Sequence, residues 1–462
     1  MSDAGQKTDA SGVILLDEEL EALTARLGLA AQAENTIDVQ YYIWTGDAVG
    51  IAVIKQLLSA ALRGVRVRLL VDDIHFIGYD RRVLGLDAYD NVEIRSFNPF
   101  RYRFKDSPVR SIAEIISGAS RLNHRMHNKV FLIDGKAAIL GGRNLSNQYF
   151  GADRKFNFRD IDILCVGDAV QEIAGSFDEY WHSEWAVPLQ DLHKRRIKPV
   201  VMEELEVGLD DQQQALLKRI ESVPSDKYLD RRAGDVSWCP VEVLADAPHK
   251  MAGRDGFVSP VRERLFELNN EAREEILIEN GYFIPRAEGL RRLGAQIERG
   301  VRVQVLTNSL ASNDTGLSHA GYKRYRYRLL EAGVRLFETR RDAALGTDFE
   351  LSDTPSTDVG LHSKAATIDR KVAFVGSYNL DPRSAFINTE IGVVVYHAGF
   401  SERLAAVILA AMSKDNSWSL SVAPDDTLRW QHHVERSSEP PAKWTKRFLA
   451  RLLGMLPVER QL

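Results

Sequence analysis

Two short blocks of the chain carry residue types suited to phosphoryl chemistry. The first is His127-Asn128-Lys129-Val130-Phe131-Leu132-Ile133-Asp134, followed by Gly141-Gly142-Arg143-Asn144. The second is His362-Ser363-Lys364-Ala365-Ala366-Thr367-Ile368-Asp369, followed by Gly376-Ser377-Tyr378-Asn379. In both, Lys stands at +2 from His, Asp at +7, Gly at +14 and Asn at +17. A His-x-Lys-x4-Asp pattern is expected about 0.03 times by chance in a chain of this composition, so two copies with matching Gly and Asn are a strong signal. Two histidines, two lysines and two asparagines brought to one place suit a phosphodiester. Lys129, Lys364, Asn144 and Asn379 can hold the non-bridging oxygens and meet charge at phosphorus, so the reading calls for no metal and no cofactor. One histidine can attack phosphorus and form a phosphohistidine. The other can protonate the leaving oxygen, then deprotonate the incoming alcohol or water.

Such groups need elements that aim them together. On an extended strand residues i and i+2 share a face, so His127 projects with Lys129 and His362 with Lys364. Asp134 and Asp369 complete the blocks and stay in the candidate set. Each follows an apolar run and opens a turn, so each is expected to fix a strand end rather than touch substrate. A second strand then returns Asn144 and Asn379 to the histidines. Each imidazole also needs an orienter for its other ring nitrogen. Asn157-Phe158-Arg159-Asp160-Ile161-Asp162 aligns with Ile387-Asn388-Thr389-Glu390-Ile391-Gly392. This makes Asp160 the candidate for His127, at +33, and Glu390 the candidate for His362, at +28, with Asp162 the rival on the first side.

The repetition extends beyond the blocks. Arg63-Gly64-Val65-Arg66-Val67-Arg68-Leu69-Leu70 recurs as Arg299-Gly300-Val301-Arg302-Val303-Gln304-Val305-Leu306, offset by 236, against 235 for the histidines. The first half reads helix, strand, helix, strand: a helical pattern over 18–33, a strand over 37–44, a helix over 51–62 and a strand over 65–71. The second half gives a strand over 275–283, a helix over 289–298 and a strand over 301–306. Alternating strands and helices predict an α/β fold in two copies. The expected boundaries are 1–187 for the first half, 188–235 for a linker with a helix near 211–222, 236–425 for the second half and 426–462 for a tail. The basic cluster His193-Lys194-Arg195-Arg196 in the linker reads as a solvated face.

Composition narrows the class. The 462 residues are 44% hydrophobic and 27% charged, which suits a globular protein with large cores. Net charge is −5, so no global cationic field draws nucleic acid. The two cysteines exclude a disulfide framework and fit a reducing compartment. The polar first ten residues lack a signal-peptide pattern, and no run of 18 apolar residues exists, so a cytoplasmic protein is expected. From Ala442 to Leu456, apolar and basic residues fall on opposite sides of a helical wheel with no acidic residue. That pattern suits a helix lying on an anionic membrane surface.

The duplicated block resembles the signature of the phospholipase D superfamily. Within it, Ile37 to Trp44, Phe97-Asn98-Pro99-Phe100, Arg121 to Lys129 and Gly141 to Asn144 are similar to the C-type branch of bacterial cardiolipin synthases. The resemblance implies two αβαβα domains in a pseudo-twofold pair around one shared active site. It implies transfer of a phosphatidyl group to a second phospholipid, from phosphatidylglycerol or phosphatidylethanolamine, with His127 as nucleophile and His362 as acid and base. It also implies a peripheral place on the inner face of the bacterial inner membrane. A hydrolase, either a phospholipase D or a nuclease, would share the chemistry and differ in acceptor. Two basic, aromatic segments, Phe100 to Lys105 and Tyr322 to Arg328, are candidate anion-binding flanks. One departure between the blocks is Gly142, where the second has Ser377.

Overall fold

Runs rich in β-branched and apolar residues become strands, and the amphipathic stretches between them become helices. The computed structural model describes residues 11–75, 80–100, 119–192, 198–225, 228–253, 257–345, 351 and 358–442. The first half contributes β1 (Ser11–Leu16), β2 (Thr36–Tyr41), β3 (Arg66–Asp72), β4 (Val92–Phe97), β5 (Val130–Ile133), β6 (Ala137–Gly141), β7 (Phe156–Arg159), β8 (Asp162–Gly167), β9 (Ala186–Pro188) and β10 (Ser237–Cys239). The second contributes β11 (Val241–Ala245), β12 (Glu275–Asn280), β13 (Arg302–Asn308), β14 (Arg335–Thr339), β15 (Asp358–Leu361), β16 (Lys364–Ile368), β17 (Val372–Gly376), β18 (Ile391–Val395), β19 (Ser417–Val422), β20 (Leu428–Gln431) and β21 (Glu435–Arg436).

The first sheet runs β10-β1-β8-β6-β5-β2-β3-β4-β9 and the second β11-β18-β17-β16-β12-β13-β14-β19-β20-β21. The six strands from β8 to β4 repeat as the six from β18 to β14, parallel across β2-β3-β4 and β12-β13-β14. The duplication read from the sequence is thus a duplication of topology in a mixed α/β fold. β7 and β15 stand outside both sheets and pair with each other in parallel, Asp358 opposite Phe156 through Leu361 opposite Arg159. That ribbon stitches the halves together.

Each sheet carries an outer core under its first two helices, Glu19–Gln32 with Ala48–Leu62, and Pro260–Glu271 with Arg286–Glu298. A third core belongs to both halves. Leu132, Leu140 and Ile163 meet Leu277, Val375 and Val393 there, beside the helices Ala169–Trp181 and Ala398–Ala411. Each such side chain stabilises the join by ~1.5–3 kcal/mol on burial.

The boundaries differ from the sequence expectation. β10 pairs antiparallel with β1, Ser11 opposite Cys239, so the first sheet ends at Cys239 and the second begins at Val241. A short strand there covers the otherwise bare edge of β1. The described residues between 198 and 235 do not form a free tether. The Asp211–Ser222 helix sinks Leu217 and Ile220 into the first outer core, and Tyr228 joins them. Residues 428–436 add β20 and β21 to the second sheet, burying Trp430. The segment Tyr322 to Arg328 lies on the Gly316–Glu331 helix and turns Tyr322 and Arg326 inward. Arg326 is spent on Glu338 (2.8 Å) and Glu439 (3.0 Å), while Lys323, Arg324 and Arg328 stay on the exposed side of the helix. Residues 101–105, the cluster at 193–196 and the amphipathic segment from 443 onward lie outside the described residues. Among the described residues no helix is long and apolar enough to cross a membrane.

Candidate active site

The C-terminal ends of the parallel strands position the histidines. Asp72, at the end of β3, accepts the Met126 N–H (3.1 Å) and an Arg125 N–H (3.2 Å). Asn308, at the matching end of β13, accepts the Leu361 N–H (2.8 Å) and donates to the Leu361 carbonyl (2.7 Å). Each therefore fixes the residue immediately before a histidine. The backbone then crosses between halves: His127 N–H donates to the Thr389 carbonyl (3.0 Å) and His362 N–H to the Arg159 carbonyl (2.9 Å). Thr389 and Arg159 immediately precede Glu390 and Asp160, so the crossing sets each carboxylate against the opposite block.

This exchanges the expected pairing. His127 Nδ1 lies 2.8 Å from Glu390 Oε2, and His362 Nδ1 lies 2.7 Å from Asp160 Oδ2. The sequence reading gave each histidine the carboxylate of its own half; the pseudo-twofold axis gives it the other's. All four side chains are buried. Asp162, the rival, is taken by Arg26 (2.7 Å) and caps the Arg143 N–H, away from either imidazole.

The two carboxylates are held differently. Glu390 also accepts the Ser377 hydroxyl (2.5 Å) and the Ser384 hydroxyl (2.7 Å). Asp160 accepts the Ile161 N–H (2.8 Å). A Cβ at Gly142 would lie 2.1 Å from Asp160 Oδ1. The glycine makes room for a shorter carboxylate carried closer to the strand, where the longer Glu390 leaves space for a serine. This accounts for the Gly142 and Ser377 departure between the blocks.

Burial and charge set the protonation states. Desolvation takes His127 down to about 4 against the pull of Glu390, with the Lys129 charge adding to the fall. Desolvation, reinforced by Lys364, takes His362 down to about 4 as well. The Lys364 charge also acts on His127 and the Lys129 charge on His362, so the two blocks share one field. Burial alone would raise Asp160, but the His362 hydrogen bond and charge override it and hold the carboxyl at about 2. Glu390 is likewise held below its ordinary value against its own burial by His127. Desolvation takes Lys129 down to about 7 and lowers Lys364 too. Near neutral pH the imidazoles are neutral. An Nδ1–H directed to carboxylate leaves each Nε2 lone pair free.

Each lysine donates to the carbonyl of its own histidine. Each also sits over a tyrosine ring: Lys129 over Tyr42 (5.5 Å) and Lys364 over Tyr282 (5.8 Å). Tyr42 directly follows β2, and Tyr282 lies two residues past the end of β12. His127 meets Tyr42 edge-on at 5.1 Å. His362 is more enclosed, with Tyr149 (5.0 Å), Phe158 (5.1 Å) and Tyr282 (5.9 Å) around its ring. These tyrosines, Phe158, Asp72 and Asn308 were missed from sequence, although the 236-residue offset of the repeated strands sets Asp72 over Asn308.

Asn144 accepts the Ile43 N–H on Oδ1 (3.1 Å), which fixes its amide beside the Tyr149 hydroxyl. Asn379 is buried, and its Oδ1 finds no donor among the described residues. An unsatisfied buried amide of this kind suits a polar ligand. The block aspartates stand elsewhere. β5 separates Lys129 from Asp134, ~17 Å at ~3.4 Å per residue. Asp134 accepts the N–H groups of Glu34, Asn35 and Thr36, and Asp369 those of Arg273, Glu274 and Glu275. Each aspartate clamps the start of the neighbouring parallel strand and reaches no histidine, which removes Asp134 and Asp369 from the set that meets the reacting atoms. Among the described residues no group of three or more His, Cys, Asp or Glu is arranged to hold a metal ion.

The chain is similar to known proteins in sequence and in fold. The family described as "Cardiolipin synthase, PLD-like domain" matches residues 27–181 and 265–411. Cardiolipin synthase C of Escherichia coli (strain K12) is 37% identical across 97% of this chain and 95% of its own. A protein of Helicobacter pylori (strain ATCC 700392 / 26695) described as uncharacterized is 32% identical, covering 85% of this chain and 78% of its own. The crystal structure of phosphatidylserine synthase from Haemophilus influenzae Rd KW20 superposes with a TM-score of 0.63 over 97% of this chain and 95% of that one. At 14% identity that likeness is one of fold.

Proposed function

The chain belongs to the cardiolipin synthase family of phospholipase D-like phosphatidyltransferases, and we propose that it joins two phospholipids through a phosphohistidine formed at the seam between its halves. One observation carries the reading: two buried histidines, each bound through Nδ1 to a carboxylate of the opposite half, facing two buried lysines.

A phosphodiester placed between the blocks meets Lys129 and Lys364, whose pKa values are depressed by burial without an anion present. Its charge restores both as full cations, so substrate binding and charge stabilisation arise from the same contact. His127 Nε2 attacks phosphorus, and its Nδ1–H to Glu390 stabilises the positive charge that develops on the ring. The bond from phosphorus to the headgroup oxygen breaks, and His362 as imidazolium passes its Nε2 proton to that oxygen. The arriving anion also favours the protonated form of His362, which burial alone keeps neutral. In the second half-reaction His362 takes the proton of an acceptor hydroxyl, that oxygen attacks phosphorus, and His127 leaves. His127 is assigned as nucleophile because its ring is less enclosed than that of His362.

We propose phosphatidylglycerol as acceptor, with phosphatidylglycerol or phosphatidylethanolamine as donor, releasing glycerol or ethanolamine. The likeness to cardiolipin synthase C of Escherichia coli over nearly the whole chain supports cardiolipin as the product. Such substrates place the protein peripherally at the inner face of a bacterial inner membrane, with the segment from 443 onward as the candidate contact. Purified protein incubated with each lipid alone and with both together, followed by mass analysis of the products, tests the reading. Cardiolipin supports it, and phosphatidic acid without cardiolipin overturns it in favour of a hydrolase.

A further inference from the structure

The two outer cores are not equally filled. In the second half a cavity of about 530 Å³ opens between the Pro260–Glu271 and Arg286–Glu298 helices and the sheet. This is within the ~300–1,000 Å³ range of small-molecule sites. Ile276, Ile278, Leu293, Phe374 and Leu380 give it apolar walls, and its inner end is formed by Lys364 and Asp381. It is therefore continuous with one of the two lysines placed at the phosphodiester.

Among the described residues the corresponding layer of the first half is more fully packed. Asn144 and Asn379 match, so the residue six further on is Phe150 in the first half and Ala385 in the second. Phe150 is fully buried in the first outer core, whereas Ala385 lines the cavity. Trp44, two residues after Tyr42, is buried. The void beside Trp44 is about 10 Å³. A large-to-small difference at the matched Phe150 and Ala385 position thus sets the second half apart from the first. The rim is amphipathic: Phe386 is 49% exposed, flanked by Arg262 (5.4 Å) and Arg286 (5.8 Å). Arg262 is already paired to Glu288, while Arg286 makes no ion pair among the described residues.

We propose that this cavity holds one acyl chain of the phospholipid whose phosphate lies at Lys364. The proposal rests on the phosphatidyltransferase reading of the same site. An apolar chamber with a lysine at its inner end matches a lipid tail joined to a phosphodiester, and a phenylalanine and an uncommitted arginine at the rim match a bilayer surface with anionic headgroups. The pseudo-twofold axis requires no such chamber, and the void beside Trp44 in the first half is far smaller. The cavity therefore also makes the two substrate positions unequal.

The test compares kcat/KM for long-chain and dihexanoyl phosphatidylglycerol in mixed micelles, for the wild type, for Ala385→Phe and for Leu265→Trp, which enters the cavity from the opposite wall. Filling the cavity should lower long-chain turnover roughly tenfold for every two methylenes kept in water, and leave the dihexanoyl lipid within about twofold. An unchanged long-to-short ratio in both variants overturns the proposal. Should either variant misfold, wild-type protein irradiated with a terminal-diazirine phosphatidylglycerol supplies the answer. Adducts on peptides of 260–271, 286–298 or 364–376 support the chamber, and adducts confined to other segments refute it. A wild type that labels at the chamber but forms no product from either lipid refutes the transferase reading and leaves the chamber standing.

Discussion

Replacing Glu390 with Gln removes the charge beside His127 while keeping the side chain's size. The carboxylate accepts the His127 Nδ1–H at 2.8 Å with both partners buried, so solvent cannot substitute for it. A hydrogen bond to a buried charge contributes up to ~3 kcal/mol, and here it strengthens as the ring becomes positive, so its loss slows attack on phosphorus by ~10²-fold. A phosphatidyl donor with a p-nitrophenol leaving group isolates that step, because its departure needs no proton from His362. Stopped-flow release of p-nitrophenolate should show a burst in the wild type and none in His127→Ala. Glu390→Gln should slow the burst ~10²-fold. Asp160→Asn, which touches His362, should keep a near-normal burst and slow the turnover that follows. Each carboxylate variant must track the histidine of the opposite half. Burst loss in Asp160→Asn with a normal burst in Glu390→Gln, alongside loss in His127→Ala, refutes the crossed pairing.

Other consequences follow from the same contacts. Burial lowers both histidines from 6.5 to about 4, so between those values the unfolded chain binds more protons than the folded one. Stability is therefore full above pH 6.5 and falls as pH drops towards 4. His127→Gln combined with His362→Gln should flatten the urea midpoint across that window, and an unchanged slope contradicts the neutral-imidazole assignment. Asp134→Ala removes three backbone acceptor contacts at a left-handed turn residue. It should cost ~1–3 kcal/mol in denaturant unfolding while kcat stays within about twofold; a large fall in kcat in folded protein would place Asp134 in the chemistry. Turnover should persist in excess EDTA, since Lys129 and Lys364 meet the charge at phosphorus; loss of activity restored by a divalent cation contradicts this. Deleting 443–462 should release the protein from anionic vesicles and spare dihexanoyl turnover, and undiminished sedimentation with vesicles removes that segment as the membrane contact.

The parts legible in the sequence are those written in local patterns. The repeated blocks identified the histidines, lysines and asparagines, and the alternation of apolar runs gave the strands and helices. The Asp211–Ser222 helix fell where its pattern put it. Asp160 and Glu390 were found through their matched contexts, but their partners were not. Sequence distance favours the carboxylate 33 residues away over one 263 residues away, and only the packing of one half on the other reverses that order. The same limit hid β10, whose three residues are too short to declare which sheet they extend. Arg326 shows the converse. Within a basic, aromatic heptad it reads as a surface residue until Glu338, from the strand β14, and Glu439, further along the chain, are seen to hold it from inside. Phe150 and Ala385 were visible all along as a mismatch between aligned halves, but a mismatch becomes a chamber only when the surrounding walls are in place.

The most direct test of a phosphatidyl group carried on a histidine at this seam is to find it there. Wild-type protein mixed with phosphatidylglycerol carrying labelled phosphorus, quenched in alkaline denaturant and digested, is mapped by mass spectrometry. The account predicts a labelled adduct on the peptide containing His127, absent in His127→Ala and retained with a slower onset in His362→Ala. No labelled histidine in an active wild type, or a label on His362 that persists in His127→Ala, contradicts it.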